Sequence, residues 1–425
     1  MCDSDRGRDV RQRRRGTLEH VRRDLYDAPV SVGRVTPGSQ TSLREANRAR
    51  IVSAVTQRGS LTQVELAGVT GLSPATVSNI VKELSIAGLL HTSPTSRSGR
   101  RAQEVTLARK LGLVVGASFG VRNLRLQVVD VAHQLIAERR LPLAPDHRAD
   151  SGLDRVALLV TELIESVGSS LDELLAVGVG VAAPVDPRSG RVPALGILRG
   201  WDGVDVAGSL GTRLGVPVRV DNSGNLSALA ELRYGAIQGY QTAAYIHLSH
   251  GVGAGLVLGG SVFHGAFGTA GELGHTIVDD TGPLCRCGNR GCLESFVGAS
   301  ALVSRLEASH GHLTLGDIIV DARNGDPACV EVIEEAGRRV GVAVTNLCHL
   351  LNPEVVVVGG ELAAAGDLVL DPLREVLGRS VIPNSEQLIP VLPAALGQDV
   401  EVRGAVALAL DSVKIDTMSL AVLHG

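Results

Sequence analysis

Between residues 43 and 107 the apolar side chains recur at helical spacing, and polar side chains between them match the signals that begin helices. The first apolar stripe occupies one helical face and consists of Ile51, Val52 and Val55. Thr62 and Glu65 stand three residues apart, as the two members of a capping box do. Gly71 supplies the following turn. This pattern predicts one helix before residue 60 and a short second helix that begins after Thr62.

A further helix is predicted directly after that turn. Ser73 suits the N-cap, and Pro74 suits the first helical position, where its missing N–H costs nothing. The apolar face that follows has the spacing i, i+3, i+4, i+7 and consists of Val77, Ile80, Val81 and Leu84. Gly88 suits the position just past the helix end. Two capped helices joined by a tight turn are typical of a helix-turn-helix.

The second of these two helices turns short polar side chains outward near its N-terminus, and such a surface lets a helix enter the major groove of DNA. The chain after it is predicted to form a strand, an arginine-rich loop and a strand, like the wing of a winged helix. The alternative is a packing module, which more often carries longer charged pairs on that face. The predicted DNA contacts are Ser73, Thr76, Ser78, Asn79, Lys82, Arg97, Arg100 and Arg101.

From Leu111 onward, predicted strands and helices alternate. Residues 111–120 and 122–130 have the pattern of a strand pair, and residues 174–184 that of a buried strand. Residues 327–351 are expected to form a long helix before the strand at 354–360. Alternation of this kind predicts an α/β domain.

Charge divides the chain in a way that its formal net charge of −4 conceals. Residues 1–110 carry roughly twice as many Lys and Arg as Asp and Glu, which favours a polyanionic partner for this part. Residues 1–40 are Arg-rich and poor in apolar residues, so a disordered basic tail is expected. The predicted domains are therefore this tail, a DNA-binding domain at 41–110 and an α/β domain at 111–425.

Two further features of the composition bear on location. The sequence has no apolar stretch of about 18 uncharged residues and no apolar core after its charged N-terminus, so neither a membrane span nor a secretory signal is expected. Three of the six cysteines are scattered without pairing spacing. Together these features predict a cytoplasmic protein.

Residues 274–294 combine three cysteines with a histidine. Three soft thiolates and one imidazole suit tetrahedral Zn²⁺, and Gly288 and Gly291 let the chain fold back on itself. The alternatives are a redox pair and chance clustering. Because no position is left for an activated water, a closed structural zinc site is expected. The predicted ligands are His275, Cys285, Cys287 and Cys292.

Two carboxylates, Glu272 and Glu294, flank these ligands in sequence. If a metal holds this segment together, both carboxylates lie near one point beside His275. Carboxylates in such a place can accept hydrogen bonds from sugar hydroxyl groups. The alternative is a pair of solvated surface acids.

The segment resembles the zinc-and-sugar motif of the ROK family of repressors and sugar kinases. The resemblance rests on GELGH followed by CRCGNRGC, with weaker matches at VAAPVDPRSGRV, VDNSGNLSALAE and NPEVVVVGGEL, and it spans residues 111–404. It implies two actin-like (ribonuclease-H-like) lobes around a sugar cleft, and zinc-bound His275. The residues that it implies for sugar binding are Asn222, Glu272, His275 and Glu294. The N-terminal module resembles that of the ROK regulators, which ROK kinases lack.

The sequence departs from the family's kinases where phosphoryl transfer takes place. Ser223 stands at the position of the general base, and a serine cannot accept a proton near neutral pH without a base of its own. Asp221 is two residues away, a shift of roughly 6–7 Å along a strand, which makes it a poor substitute. Ser118 replaces the acid of the first phosphate loop, Arg122 a small hydroxyl residue there, and His250 enlarges the second loop. The sequence therefore predicts no enzymatic activity.

These observations together predict a DNA-binding transcriptional regulator. We expect a repressor of carbohydrate genes that binds double-stranded operator DNA as a homodimer or homotetramer and is released by a sugar or sugar derivative. One alternative is an ATP-dependent ROK sugar kinase with an attached DNA-binding domain. The other is a DNA-binding protein that has lost its ligand and answers to a protein partner.

Overall fold

The computed structural model describes residues 40–97, 100–144, 147–193, 196–198, 200–381, 388–413 and 415. The tail predicted for residues 1–40 lies outside these residues except for Gln40. The chain divides into two units, residues 1–47 and 48–425. Apart from the first residues of one helix, everything described below belongs to the second unit.

A winged helix-turn-helix begins the described chain, as predicted. Its elements are α1 (Gln40–Arg58), β1 (Ser60–Thr62), α2 (Gln63–Thr70), α3 (Pro74–Ile86), β2 (Leu90–Arg97) and β3 (Arg100–Leu107). The strands form a sheet in the order β1-β3-β2. Its apolar core includes the predicted inward positions of α3. We refer to residues 48–107 as the head.

The predicted helix caps are confirmed. The Glu65 carboxylate accepts a hydrogen bond from the Thr62 backbone N–H at 2.7 Å, and the Thr62 hydroxyl accepts one from the Glu65 N–H at 3.3 Å. The Ser73 hydroxyl accepts the N–H of Thr76 at 3.1 Å. These contacts satisfy N–H groups that a helix start leaves without intrahelical partners, and they fix where α2 and α3 begin.

The wing differs from its prediction. The arginine-rich segment was expected to be a loop between two strands, but β2 extends to Arg97 and β3 starts at Arg100, so only two residues connect them. Antiparallel pairing continues to the last pair, Arg97 opposite Arg100. The polar Thr and Ser residues of β2 gave too weak a strand signal, because pairing with β3 rather than an apolar pattern holds this strand.

The first lobe is a five-stranded sheet with the order β6-β5-β4-β7-β8. Pairs β4/β5 and β5/β6 are antiparallel, whereas β7 runs parallel to both β4 and β8. Buried apolar residues of the two covering helices pack against its strands. The elements are β4 (Leu113–Phe119), β5 (Asn123–Asp130), β6 (Leu135–Pro142), α4 (Ala149–Ser166), β7 (Leu174–Val181), α5 (Val206–Leu214) and β8 (Val218–Asn222).

The second lobe repeats this plan with the order β11-β10-β9-β12-β13. Again the first three strands are antiparallel and the last two run parallel to the first. The repetition is that of the predicted actin-like fold. Its elements are α6 (Ser223–Tyr234), β9 (Ala243–Leu248), β10 (Val252–Leu258), β11 (Ser261–Val262), α7 (Glu294–Val297), α8 (Ala299–His310), α9 (Leu315–Arg323), α10 (Pro327–Leu351), β12 (Val355–Gly359), α11 (Asp367–Ser380), β13 (Val391–Pro393) and α12 (Val400–Ser412).

The helix α12 packs directly on the first sheet. A Cβ atom at Gly178 of β7 would lie 1.9 Å from the Ala405 carbonyl oxygen, so only glycine allows this approach. A Cβ atom at Gly404 would likewise lie 2.0 Å from the Leu226 carbonyl oxygen of α6. These contacts bring α6 and α12 together along the line where the lobes join. Among the described residues, no helix is long and apolar enough to cross a membrane.

Candidate functional site

A cleft of about 600 Å³ opens where strands of both lobes end. Its walls include Ser118 from the end of β4, Asn222 from the end of β8 and Gly359 from the end of β12. Ligands of open α/β sheets bind at such carboxyl ends, because loops there project functional groups into one crevice. Every residue predicted to bind sugar lines this cleft, namely Asn222, Glu272, His275 and Glu294.

The four predicted metal ligands lie together, and one of them, His275, lines this cleft. Their ligand atoms are all within 4.8 Å of one another. The sulfurs of Cys287 and Cys292 are 3.6 Å apart, and the sulfur of Cys285 is 3.5 Å from Nδ1 of His275. Sulfur ligands placed tetrahedrally at about 2.3 Å from zinc are about 3.8 Å from one another, so the set fits a tetrahedral ion.

The chemistry of the donor set also fits a cation. Burial raises the pKa of the Cys292 thiol to about 12. Three thiolates crowded this closely repel one another, and a divalent cation removes that cost because it deprotonates its thiol ligands. Gly288 and Gly291 have the positive φ angles, 92° and 67°, that bring Cys292 back towards Cys285.

The two ring nitrogens of His275 face different partners. Its Nδ1 faces the sulfur of Cys285, whereas its Nε2 lies 3.9 Å from the Glu272 carboxylate. A metal on Nδ1 leaves the proton on Nε2, so this ring can bind metal and donate a hydrogen bond on its other side. Burial, with the Glu294 charge nearby, raises the pKa of Glu272 to about 7.

An arginine that the sequence reasoning missed holds Glu294. The two oxygens of Glu294 lie 2.7 and 3.0 Å from Nε and Nη2 of Arg286, a bidentate pair. The backbone N–H of Val252 donates a third bond to Glu294 at 3.0 Å. The only signal for Arg286 in the sequence was its place between Cys285 and Cys287. A metal bound by those cysteines would hold Arg286 beside the residues that are predicted to bind sugar.

Asn222 joins the cleft to the helix that follows. Its side-chain oxygen accepts the N–H of Gly224 at 2.7 Å and thereby caps α6, and its amide nitrogen donates to the Ala183 carbonyl at 3.0 Å. Both bonds hold the side chain at the cleft wall. Asn222 is thus bonded to the backbone of α6 and to the backbone that follows β7.

The residue at the position of the kinase base and its acidic neighbour differ in their hydrogen bonding. The hydroxyl of Ser223 is buried and has no hydrogen-bond partner among the described residues. The neighbouring Asp221 accepts bonds from Nε2 of His264 at 2.7 Å and from the amide of Asn225 at 2.8 Å. Sequence reasoning missed this partner, and the hydrogen bond with the Asp221 carboxylate raises the pKa of His264. Asp221 is therefore occupied by a structural pair.

The Ser118 hydroxyl donates to the carboxylate of Glu401 at 2.6 Å. Glu401 comes from the first turn of α12, 283 residues later, and its other oxygen is 3.6 Å from Nε2 of His247. This contact was also missed, because nothing local in the sequence joins the two segments. His250, placed in the second loop by the sequence, lines the cleft with its Nδ1 3.9 Å from Glu361.

The surface predicted to contact DNA is exposed in part. Ser78, Asn79 and Lys82 are exposed on α3, and Arg101 is exposed on β3. Ser73 is also exposed and Thr76 is half-buried, and their hydroxyl oxygens lie 2.8 Å apart at the start of α3. Arg97 forms an ion pair with Glu65 of α2, and the side chain of Arg100 lies outside the described residues.

Comparison with known proteins agrees with this architecture. Residues 44–90 match a family described as winged helix-turn-helix DNA-binding. The xylose repressor of Bacillus subtilis is 26% identical over 382 residues, covering 89% of this chain and 97% of the repressor. The transcriptional dual regulator NagC of Escherichia coli is 27% identical over 383 residues, covering 85% and 93%.

Solved structures show the same fold. A ROK family glucokinase from Streptomyces griseus, in complex with glucose and AMPPNP, has 31% identity and a TM-score of 0.63 over 70% of this chain and 99% of the enzyme. A ROK transcriptional regulator, a homologue of the E. coli MLC protein, has 24% identity and a TM-score of 0.71 over 87% and 97%. Residues 114–412 match the ROK family itself, and the chain therefore belongs to the ROK family.

Proposed function

We propose that this protein is a transcriptional repressor of carbohydrate genes that binds operator DNA through its head and a sugar through its cleft. The observation that carries the proposal is the pairing of a winged helix with a cleft whose sugar-side carboxylates are present while Ser223 stands at the kinase base position. The names of the relatives, xylose repressor and NagC, support it. A sugar or sugar derivative is the effector, and it leaves the cleft unphosphorylated.

Sugar recognition would use hydrogen-bond acceptors and one hydrogen-bond donor that line the same cleft. The carboxylates of Glu272 and Glu294 accept hydrogen bonds from sugar hydroxyls, and Nε2 of His275 donates one. Charge-assisted bonds of this kind contribute about 1.5–3 kcal/mol each. The bidentate contact with Arg286 orients Glu294 in advance, so less conformational entropy is lost on binding.

We propose Zn²⁺ as the cofactor, held by His275, Cys285, Cys287 and Cys292. Bound there, the ion would supply no catalysis but would fix the tautomer and orientation of the His275 ring. The thiols and the ring nitrogen fit it in number, type and spacing. Sugar binding would then depend on the metal although the sugar does not touch it.

The absence of phosphoryl transfer follows from the residues at the kinase positions. Ser223 cannot act as a base, and both oxygens of Asp221 accept hydrogen bonds within the protein, from Asn225 and His264. Ser118 cannot replace a metal-binding carboxylate, and it is bonded to Glu401. The chain is similar in fold to the glucokinase, and we infer that it lacks the groups that move the proton and neutralise the phosphates.

DNA recognition would place α3 in the major groove of an inverted-repeat operator bound by a homodimer or homotetramer. Asn79, Ser78 and Lys82 face outward where base edges and phosphates would lie. The Arg97–Glu65 pair leaves Arg97 less free to bind phosphate, so the exposed Arg101 would be the principal phosphate-binding cation among the described side chains of the wing.

Selection of bound sequences from random DNA, followed by titration with D-xylose, D-glucose and N-acetyl-D-glucosamine, tests this function. The expected result is one sequence with inverted-repeat symmetry and one sugar class that weakens its binding. A protein that binds no DNA sequence preferentially, or that converts ATP to ADP with any of these sugars at enzyme-like rates, would overturn the proposal.

A further inference from the structure

The helix α6 has one end in the cleft and the other at the head. Asn222 at its N-cap lines the cleft, and Tyr234 is its last residue. The helix contains 12 residues, which at a rise of about 1.5 Å per residue span about 18 Å. A single element thus joins the place where a sugar would bind to the place where the DNA-binding part is attached.

The helix α6 is tightly packed against β10 and α12. A Cβ atom at Gly255 of β10 would lie 2.3 Å from the Gly224 carbonyl oxygen, and one at Gly404 of α12 would lie 2.0 Å from that of Leu226. Backbone therefore touches backbone on two sides of α6. Close-packed elements of this kind transmit displacement instead of absorbing it, because there is no void for a side chain to fill.

At its far end α6 contacts the head through a chain of hydrogen bonds. The Tyr234 hydroxyl is 3.1 Å from Nδ1 of His133, and Nε2 of the same ring is 2.7 Å from the Thr56 carbonyl oxygen in α1. A carbonyl only accepts, so Nε2 carries the proton and Nδ1 accepts the bond from Tyr234. Burial lowers the pKa of His133, in agreement with a neutral ring.

His133 is held in an unusual backbone conformation to make this bridge. Its φ angle is 66°, one of two positive values among the non-glycine residues described. The carboxylate of Asp130 accepts the N–H groups of Ala132 and Gln134, both at 2.9 Å, and so fixes the turn around it. On the head side, a Cβ atom at Gly59 would lie 2.8 Å from Cγ of His133, so glycine is needed for the ring to fit.

A second bridge runs beside the first. The guanidinium of Arg233 donates to the Gln57 carbonyl of α1 at 2.8 Å and to both oxygens of Asp411 of α12, at 3.0 and 2.8 Å. The Thr56 and Gln57 carbonyls belong to the last turn of α1, which leaves carbonyl groups without intrahelical partners and favours a cation. The end of α1 is therefore completed by residues from outside the head.

The contact between the head and the lobes, which we call the joint, contains a cavity. A cavity of about 850 Å³ lies between the head and the two lobes beside these bridges, and its lining includes Arg58, His91, His133, Tyr234 and Arg403. Val131 is fully buried against the head's apolar core. A small apolar contact and two hydrogen-bonded bridges therefore attach the head to the lobes, and the cavity lies beside them.

We propose that α6 carries the state of the sugar site to the head, with Arg233, Tyr234 and His133 as positioning residues that hold α1 in its DNA-binding orientation. The inference rests on the proposed function, since it names the route by which a bound sugar would change operator affinity. A sugar that contacts Asn222 or its neighbours biases the N-terminal end of α6. The bridges at the C-terminal end then convert that bias into a change at the end of α1.

Two variants separate the bridges from the packing. Tyr234→Phe removes the hydroxyl that reaches His133 and keeps the ring, and Arg233→Met removes the guanidinium and keeps most of the aliphatic chain. The matched controls are Tyr240→Phe and Arg219→Met, at positions away from the joint. In each full-length protein, operator affinity and sugar affinity are measured separately, and operator affinity is measured with and without saturating sugar.

The expected readout is the ratio of operator affinities without and with sugar. A wild-type ratio of about 5- to 150-fold should fall towards 1, by up to about three- to tenfold in Tyr234→Phe and at least as far in Arg233→Met, because each variant loses at least one hydrogen bond between α6 and the head. The affinity for sugar alone stays within about twofold of wild type, and both controls keep the wild-type ratio. Equal ratios in wild type and in both joint variants would overturn the inference.

Hydrogen exchange keeps the test decisive if a variant is unstable. In wild type, sugar should alter protection of amides in residues 223–234 and in residues 50–59. In Tyr234→Phe and in Arg233→Met the change at 223–234 should persist while the change at 50–59 becomes smaller. A change at 50–59 that stays at its wild-type size in both variants contradicts the route through α6. A wild-type protein whose operator affinity no sugar alters would instead mean that the proposed function fails.

Discussion

Replacing Glu272 by Gln tests the sugar site with the least disturbance to the fold. Among the residues that the structure describes, the polar contact of the Glu272 carboxylate is with His275 Nε2, at 3.9 Å, so little native structure depends on the charge. Glu294 is less suitable, because its loss would leave Arg286 and the Val252 N–H without their acceptor. Glu272→Gln keeps size and one acceptor oxygen while it removes the negative charge.

The expected loss follows from the difference between two kinds of hydrogen bond. A bond to a charged acceptor contributes about 1.5–3 kcal/mol and one to a neutral acceptor about 0.5–1.5 kcal/mol. Glu272→Gln should therefore weaken sugar binding by about 1–1.5 kcal/mol, which is roughly 5- to 13-fold in Kd. Glu272→Ala removes the acceptor altogether and should cost about 1.5–3 kcal/mol, roughly 10- to 150-fold.

Isothermal titration of D-xylose, D-glucose and N-acetyl-D-glucosamine into the zinc-loaded protein measures this loss. The titration is run at pH 8, because the pKa of Glu272 is raised to about 7 and the carboxylate is ionised above it. Glu307→Gln, an exposed acid on α8, is the matched control and should bind like wild type. Operator affinity without sugar should be the same in all variants. Unchanged sugar affinity in Glu272→Ala would refute the assignment of this carboxylate to the sugar.

Three further predictions concern the metal, the DNA surface and the lost chemistry. Metal analysis should find one zinc per chain in wild type and less in Cys287→Ser, and equal content in both would argue against the ligand set. Asn79→Ala should lower the discrimination between operator sequences by about 1–3 kcal/mol. Lys82→Ala should weaken binding to all DNA sequences alike and lower the slope of log K against log salt concentration by about 1. Fluorescence anisotropy measures both effects. Ser223→Asp alone should still produce no ADP from ATP and sugar, because Ser118 remains at the metal position; turnover by this variant would show that the base alone was missing.

Local signals in the sequence sufficed for much of the fold. The capping residues Thr62 and Ser73 start helices where predicted, since a side-chain oxygen at the N-cap acts over three residues. The long helix at 327–351 has the predicted ends, with Pro327 in its first turn. The cysteine spacing anticipated the cluster beside His275, because two glycines within that segment control how it folds back.

Contacts between distant segments were beyond such reasoning. The bond from Ser118 to Glu401 spans 283 residues, and no periodicity links them. The pairing of Arg286 with Glu294 needs the cluster to be folded before it exists. The length of the wing strands depends on pairing between β2 and β3. The bridge from Tyr234 through His133 to Thr56 depends on how the head packs against the two lobes.

Release of DNA by sugar without phosphorylation is tested most directly by the operator affinity of the full-length wild-type protein. This affinity is measured with and without each sugar in the presence of MgATP, and ADP formation is followed in the same samples. We expect one sugar class to lower operator affinity by about 5- to 150-fold while no ADP forms above background. A sugar that binds the protein yet leaves operator affinity unchanged, or ADP formed at enzyme-like rates, would contradict it.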